Sequence, residues 1–233
     1  MRYPDAGPQS RGLPSIVSAD IPDETPATVA PSASPKAPPR FRELGLADAV
    51  TLANTGFGML AILAAVHHAA TGNRAALWLA FGALPMALLC DVMDGIIARK
   101  RRKSPFGGDL DSLSDVVSFG VAPATLAFAM GLNGGWDVLI LIFFVGCGVA
   151  RLARYNVVAE LMTGPAGKVT HYEGTPIPTS LLVVAVLAYL FGTHHVPERM
   201  MAWTLGPAVL HPLALMYLAS GALMVSRVKI PKP

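Results

Sequence analysis

The sequence predicts an all-α integral membrane protein with six transmembrane helices and a polar metal site at its cytoplasmic side. Three observations carry that prediction. The 233-residue chain is 53% hydrophobic and only 14% charged, with mean hydropathy +0.50, where ordinary soluble domains hold about 25% charged residues. Six apolar runs follow one another, each near the ~20 residues that cross a bilayer. The basic residues cluster in alternate linkers, as membrane topology demands. A net charge of +3 is too small and too localised for nucleic acid, and no aromatic residues interleave the basic ones. No nucleic-acid partner is expected.

Residues 1–42 hold Pro4, Pro8, Pro14, Pro22, Pro26, Pro31, Pro35, Pro38 and Pro39 among Ser, Ala, Thr and Asp. Such a segment cannot bury enough apolar surface to offset its ordering entropy, so a disordered tail is expected. It lacks the uninterrupted apolar core of a signal peptide. Phe41–Ala47 reads as a short amphipathic lead-in at the membrane surface. The membrane domain is expected over 43–228, with a short cytoplasmic tail at 229–233. Its spans run near 50–70, 75–97, 110–132, 138–157, 176–191 and 201–225. The fifth is short.

Six spans with both ends inside put sixteen of the 18 Lys and Arg on the inner side. Only Arg74 and Arg199 remain outside. Both termini therefore face the cytoplasm, as does the Lys100–Lys103 run, which the topology rule and anionic headgroups explain without catalysis. Cys90 and Cys147 lie in apolar runs and read as buried free thiols. His67, His68, His194 and His195 fall at outer span ends, His211 reads as a hydrogen-bonded packing residue, and His171 lies on an inner linker. No three-His or Glu-x-x-His pattern supports zinc or di-iron.

The polar centre is Asp91-Val-Met-Asp94-Gly95-Ile-Ile-Ala98-Arg99, answered by Gly107-Gly108-Asp109-Leu110-Asp111-Ser-Leu-Ser-Asp115. A carboxylate in a membrane helix costs about 2.5–3.5 kcal/mol on insertion scales. It persists when it faces the interior and meets a cation. Asp91 and Asp94 are three apart, Asp111 and Asp115 four apart, so each pair shares one helix face. Two such faces turned together form an oxygen-rich pocket suited to Mg2+ or Mn2+.

The pattern Asp-x2-Asp-Gly-x2-Ala-Arg followed by Gly-x3-Asp-x3-Asp resembles the signature of the CDP-alcohol phosphotransferase family. The matched positions are Asp91, Asp94, Gly95, Ala98, Arg99, Gly107, Asp111 and Asp115. One departure is visible: seven residues, Lys100 to Phe106, separate Arg99 from Gly107, where the family usually has eight. That leaves Gly107 and Gly108 both open as the family glycine. Asn54-Thr-Gly-Phe-Gly58 resembles the family's Asn-x3-Gly, though helix packing explains Gly58 nearly as well. The resemblance implies two divalent ions on Asp91, Asp94, Asp111 and Asp115, with Asp115 also the candidate general base. It further implies a CDP-linked substrate held near Asn54, Gly58, Gly95, Ala98, Arg99 and Gly107. Family members are commonly homodimers.

Two stretches bear on the acceptor alcohol. Arg151-Leu-Ala-Arg154-Tyr155-Asn156 resembles the Arg-Leu-Ala-Arg-Phe-Asn stretch of the phosphatidylserine synthase subfamily. Its two arginines lie three apart on one face, which suits an anion receptor better than topology alone. Tyr172-Glu-Gly-Thr-Pro176-Ile-Pro178 and Ser118-Phe-Gly-Val-Ala-Pro123 are similar to further elements of that subfamily. The resemblance implies phosphatidyl transfer from CDP-diacylglycerol to serine, with inositol, glycerol phosphate or choline as alternative acceptors. An intramembrane prenyltransferase would need a second Asp-rich loop after Asp137, and a cation transporter would show internal repeats. The sequence has neither.

Overall fold

The structure, a computed structural model, describes residues 45–100, 107–162, 171–173, 177–193, 202–226 and 229–231. The expected tail at 1–42, most of the Lys100–Lys103 run, His194 and His195 lie outside the described residues. Among the described residues six helices form: α1 Leu46–Thr71, α2 Arg74–Lys100, α3 Gly107–Ala129, α4 Gly135–Met162, α5 Ser180–Gly192 and α6 Ala214–Val225. The first four are long and apolar enough to cross a membrane.

α1 and α2 form an antiparallel pair because the chain turns in two residues. Gly72 takes φ 71°, and its N–H returns to the His68 carbonyl at 2.7 Å, a left-handed cap that glycine adopts without a Cβ penalty. Asn73 Oδ1 then accepts the Ala75 N–H at 2.9 Å and starts α2. Ala61, Ala64 and Ala65 of α1 and Ala80, Ala83 and Ala87 of α2 are buried. Small side chains are how membrane helices approach closely.

α3 is helical from end to end, but Val116–Val121 widens to π geometry, an insertion that often accompanies functional sites. Pro123 has no N–H for the Phe119 carbonyl one turn back. Ser180, at the start of α5, donates its hydroxyl to that carbonyl at 2.8 Å, a bond from a neighbouring helix at the turn that Pro123 interrupts. Against α1, a Cβ on Gly58 would stand 2.4 Å from Ser118 Oγ and 2.8 Å from its Cα. Only a glycine permits this crossing. Across the bundle, Tyr217 of α6 is fully buried, stacks edge-on against Phe144 of α4 at 5.2 Å, and donates to the Pro123 carbonyl at 3.0 Å.

The last apolar run corrects the expectation of one helix over 201–225. Strands β2 (Trp203–Leu205) and β3 (Ala208–Leu210) pair antiparallel, turning through Gly206 at φ 63° and Pro207. α6 then has only 12 residues. It and the stretch Ile177–Gly192 are shorter than a full span. The hairpin is fastened to the start of α4. Asp137, fully buried, accepts from the Gly134 N–H at 2.9 Å and the His211 N–H at 2.8 Å, and also bonds the His211 ring. A second pair joins β1 (His171–Glu173) to β4 (Lys229–Pro231), with Tyr172 opposite Ile230. The all-α expectation therefore holds for the long elements and omits two short strand pairs.

Candidate active and metal site

The acidic residues meet where the C-terminal part of α2 passes the N-terminal part of α3. Asp91, Asp111 and Asp115 each present a carboxylate oxygen, and these three atoms lie within 4.8 Å of one another. Asp115 is buried, and its Oδ1 has no hydrogen-bond partner among the described residues. A buried carboxylate oxygen without a donor is costly. Three converging hard oxygen ligands, one of them unsatisfied, fit a divalent cation. Asp94 is not one of this trio. It is buried one turn further along α2, where its Oδ2 accepts the Thr51 hydroxyl at 2.6 Å.

Beside the carboxylates lies a cavity of about 450 Å³ lined by Asp48, Thr51, Asp94, Gly95, Ala98, Arg99, Gly107, Gly108 and Asp111, among others. That volume falls within the range of small-molecule sites. A Cβ placed on Gly95 or Gly108 would meet nothing within 4 Å, so both glycines border open space. Arg99 is exposed at the rim, its Nε bonded to the Gly95 carbonyl at 3.0 Å. Six of the residues expected around a nucleotide or its metal from α2 and α3 therefore share one cavity wall: Asp94, Gly95, Ala98, Arg99, Gly107 and Asp111.

Two expected residues lie elsewhere. Neither Asn54 nor Gly58 lines the cavity. Gly58 is taken up by the α1–α3 crossing, so its packing explanation is the one the geometry favours. Asn54 is fully buried, its side-chain amide has no partner, and its main-chain carbonyl accepts the Ser118 hydroxyl at 3.0 Å.

From α4, Arg151 is half-buried, interacts electrostatically with Asp115, and has an unpartnered Nε. Arg154 is half-buried near Arg151. Asn156 Oδ1 accepts the Ser112 hydroxyl at 3.0 Å, tying this end of α4 to the second acidic turn. Tyr155 is 48% exposed, which sets it at the periphery. Asp48 and Thr51 escaped the sequence reading. Asp48 holds the Gly45 N–H at 2.7 Å in the first turn of α1, and its only sequence signal is an acidic residue at a helix start.

Acidic groups that fit a hard cation, beside a cavity that carries Asp94, Arg99 and Asp111, form a candidate site in a bundle of apolar helices. The comparisons sharpen this. The model of the CDP-alcohol phosphatidyltransferase family matches residues 44–220, and the chain belongs to that family. It is 39% identical over 200 residues to the CDP-diacylglycerol–serine O-phosphatidyltransferase of Saccharomyces cerevisiae, covering 83% of this chain and 72% of the yeast protein. It is 30% identical to the Methanocaldococcus jannaschii protein of the same name, over 80% of this chain and 74% of that one. With the archaetidylserine synthase of Methanothermobacter thermautotrophicus it shares 35% identity, over 64% and 59% of the two chains.

Proposed function

We propose that this protein transfers the phosphatidyl group of CDP-diacylglycerol to the hydroxyl of L-serine, giving phosphatidylserine and CMP. The observation that carries the proposal is the convergence of Asp91, Asp111 and Asp115 beside the Arg99-rimmed cavity. The names of the relatives supply the donor and the acceptor. Asp91, Asp94, Asp111 and Asp115 would hold Mg2+ or Mn2+, two ions by family resemblance. Such ions, when bound, neutralise a diphosphate and ease departure of the leaving nucleotide.

The chain's own residues do the rest. The cavity receives the cytidine end, with Gly95 and Gly107 allowing close approach and Arg99 offering a fork donor to a diphosphate oxygen. The acyl chains remain in the bilayer. Asp115 takes the proton from the serine hydroxyl as that oxygen attacks the phosphorus bearing the lipid. The new P–O bond forms as the bond to CMP breaks. Arg151 and Arg154 hold the serine carboxylate, and Asn156 and Tyr155 border it. The protein works as a six-segment membrane domain over 43–228, with both termini and the site at the cytoplasmic face, as a homodimer by family resemblance.

The experiment is CMP release by the purified protein from CDP-diacylglycerol with serine, inositol, glycerol phosphate and choline in parallel. Serine alone should support turnover. Asp91→Asn and Asp111→Asn should abolish it while the protein remains folded, and EDTA should do the same to wild type. Full activity in EDTA or in either variant would sink the metal reading.

A further inference from the structure

The site has a third supporting helix that neither acidic motif contains. Thr51 lies on α1, 4% exposed, and makes two long-range bonds at once. Its hydroxyl donates to Asp94 Oδ2 at 2.6 Å, across to α2. Its carbonyl accepts the Ser114 hydroxyl at 3.1 Å, across to α3. Ser114 is the residue before Asp115 and three after Asp111, and it is itself buried and in contact with Thr55 Oγ1 at 2.6 Å. One residue thus meets both acidic helices within hydrogen-bond range. The nearby Gly58–Ser118 crossing keeps α1 close enough for these short side chains to reach.

We infer that Thr51 is a positioning residue of the metal site, fixing the Asp94 carboxylate on α2 through its hydroxyl and anchoring the Asp111–Asp115 turn of α3 through its carbonyl. This rests on the metal reading proposed above. A carboxylate has two oxygens and a freely turning terminal torsion. A buried hydroxyl bonded to one oxygen selects a single orientation and so presents the other. Groups that orient metal ligands in this way typically contribute tenfold to a hundredfold in metal affinity. The isosteric change Thr51→Val removes the hydroxyl, with its link to Asp94 and its longer contact to the Ala47 carbonyl of the same helix at 3.0 Å, while the carbonyl that receives Ser114 belongs to the backbone and survives.

The test is Mn2+ binding to the full-length protein in detergent, without lipid or serine, read from the loss of the free Mn2+ electron-spin resonance signal. Thr51→Val should weaken binding tenfold to a hundredfold, and Thr51→Ser, which keeps the hydroxyl, should bind as wild type does. Adding Thr51→Val to Asp94→Asn should weaken binding no further than Asp94→Asn alone. In turnover at saturating Mn2+, the KM for serine in Thr51→Val should match wild type. Wild-type affinity in Thr51→Val overturns the inference. So does equal weakening in Thr51→Ser, which would mean that shape and not the hydroxyl matters. If Thr51→Val does not fold, Thr51→Ala is read in its place with the same outcomes. Wild-type protein that binds no Mn2+ would overturn the metal reading itself, a result distinct from either failure of Thr51.

Discussion

On the function proposed above, Arg154 and Arg151 would carry the choice of acceptor, and one substitution separates two roles for them. An arginine near a membrane end can serve as an anchor that snorkels to the headgroups. Lysine does that equally well. A guanidinium clamping a carboxylate makes a planar two-point contact that an ammonium cannot reproduce. Arg151 is half-buried beside Asp115, with an Nε that no group among the described residues satisfies, which suits a receptor more than an anchor. Arg154→Lys should therefore raise the KM for serine about tenfold to a hundredfold, the equivalent of one charge-assisted contact of roughly 1.5–3 kcal/mol. Its apparent affinity for CDP-diacylglycerol should stay near wild type. A serine titration at saturating lipid, with Arg151→Lys alongside, decides it. Unchanged serine dependence in both returns the arginines to the anchor role. At this scale the acidic motif was legible because helix geometry alone puts residues three and four apart on one face. The Thr51–Asp94 bond was not, because its partners are 43 residues apart and a lone threonine in an apolar run carries no periodic signal.

Among the elements, the four long helices were legible to within a few residues, since length and apolar composition define a span. The final run was misread for the same reason. A hydrophobicity average over 201–225 does not distinguish a helix from a hairpin followed by a short helix. The breakers were present as Gly206-Pro207 and His211-Pro212, and turn chemistry outweighed the average. What holds the hairpin down is Asp137, and its position lets stability be separated from catalysis. It lies on α4 fourteen residues before Arg151, roughly 21 Å along the helix at 1.5 Å per residue. Asp137→Ala would leave the Gly134 and His211 N–H groups without their acceptor, each costing about 1–3 kcal/mol if it stays buried. The variant should unfold at lower temperature in detergent. The Mn2+ concentration for half-maximal turnover should not move. A shift in metal dependence without a loss of stability would show that the hairpin end communicates with the site.

For the molecule as a whole, the structure defines two ends, and the charge distribution predicts which side of the membrane each should face. Thr51 with Asp94, and Ser112 with Asn156, bring the start of α1, the end of α2, the start of α3 and the end of α4 to one end. The Gly72–Asn73 turn and the Asp137–His211 clamp lie at the other. The site end carries Arg99, Arg151 and Arg154 and continues in sequence into Lys100, Arg101, Arg102 and Lys103, whereas the start of α2 offers Arg74 alone. There Arg74 is occupied, its guanidinium 4.1 Å over the Phe191 ring and bonded to the Phe191 carbonyl. Positive residues stay on the cytoplasmic side during insertion, so the site should open to the cytoplasm, where serine and CMP are soluble. In a chain with Cys90 and Cys147 replaced by alanine, single cysteines at Lys103 and Val196 should react with an impermeant maleimide from opposite faces of sealed vesicles. Lys103 should label only in inverted vesicles and Val196 only in right-side-out ones. Labelling of both from one face would put an even number of crossings between them and overturn the arrangement of spans α3 to α5.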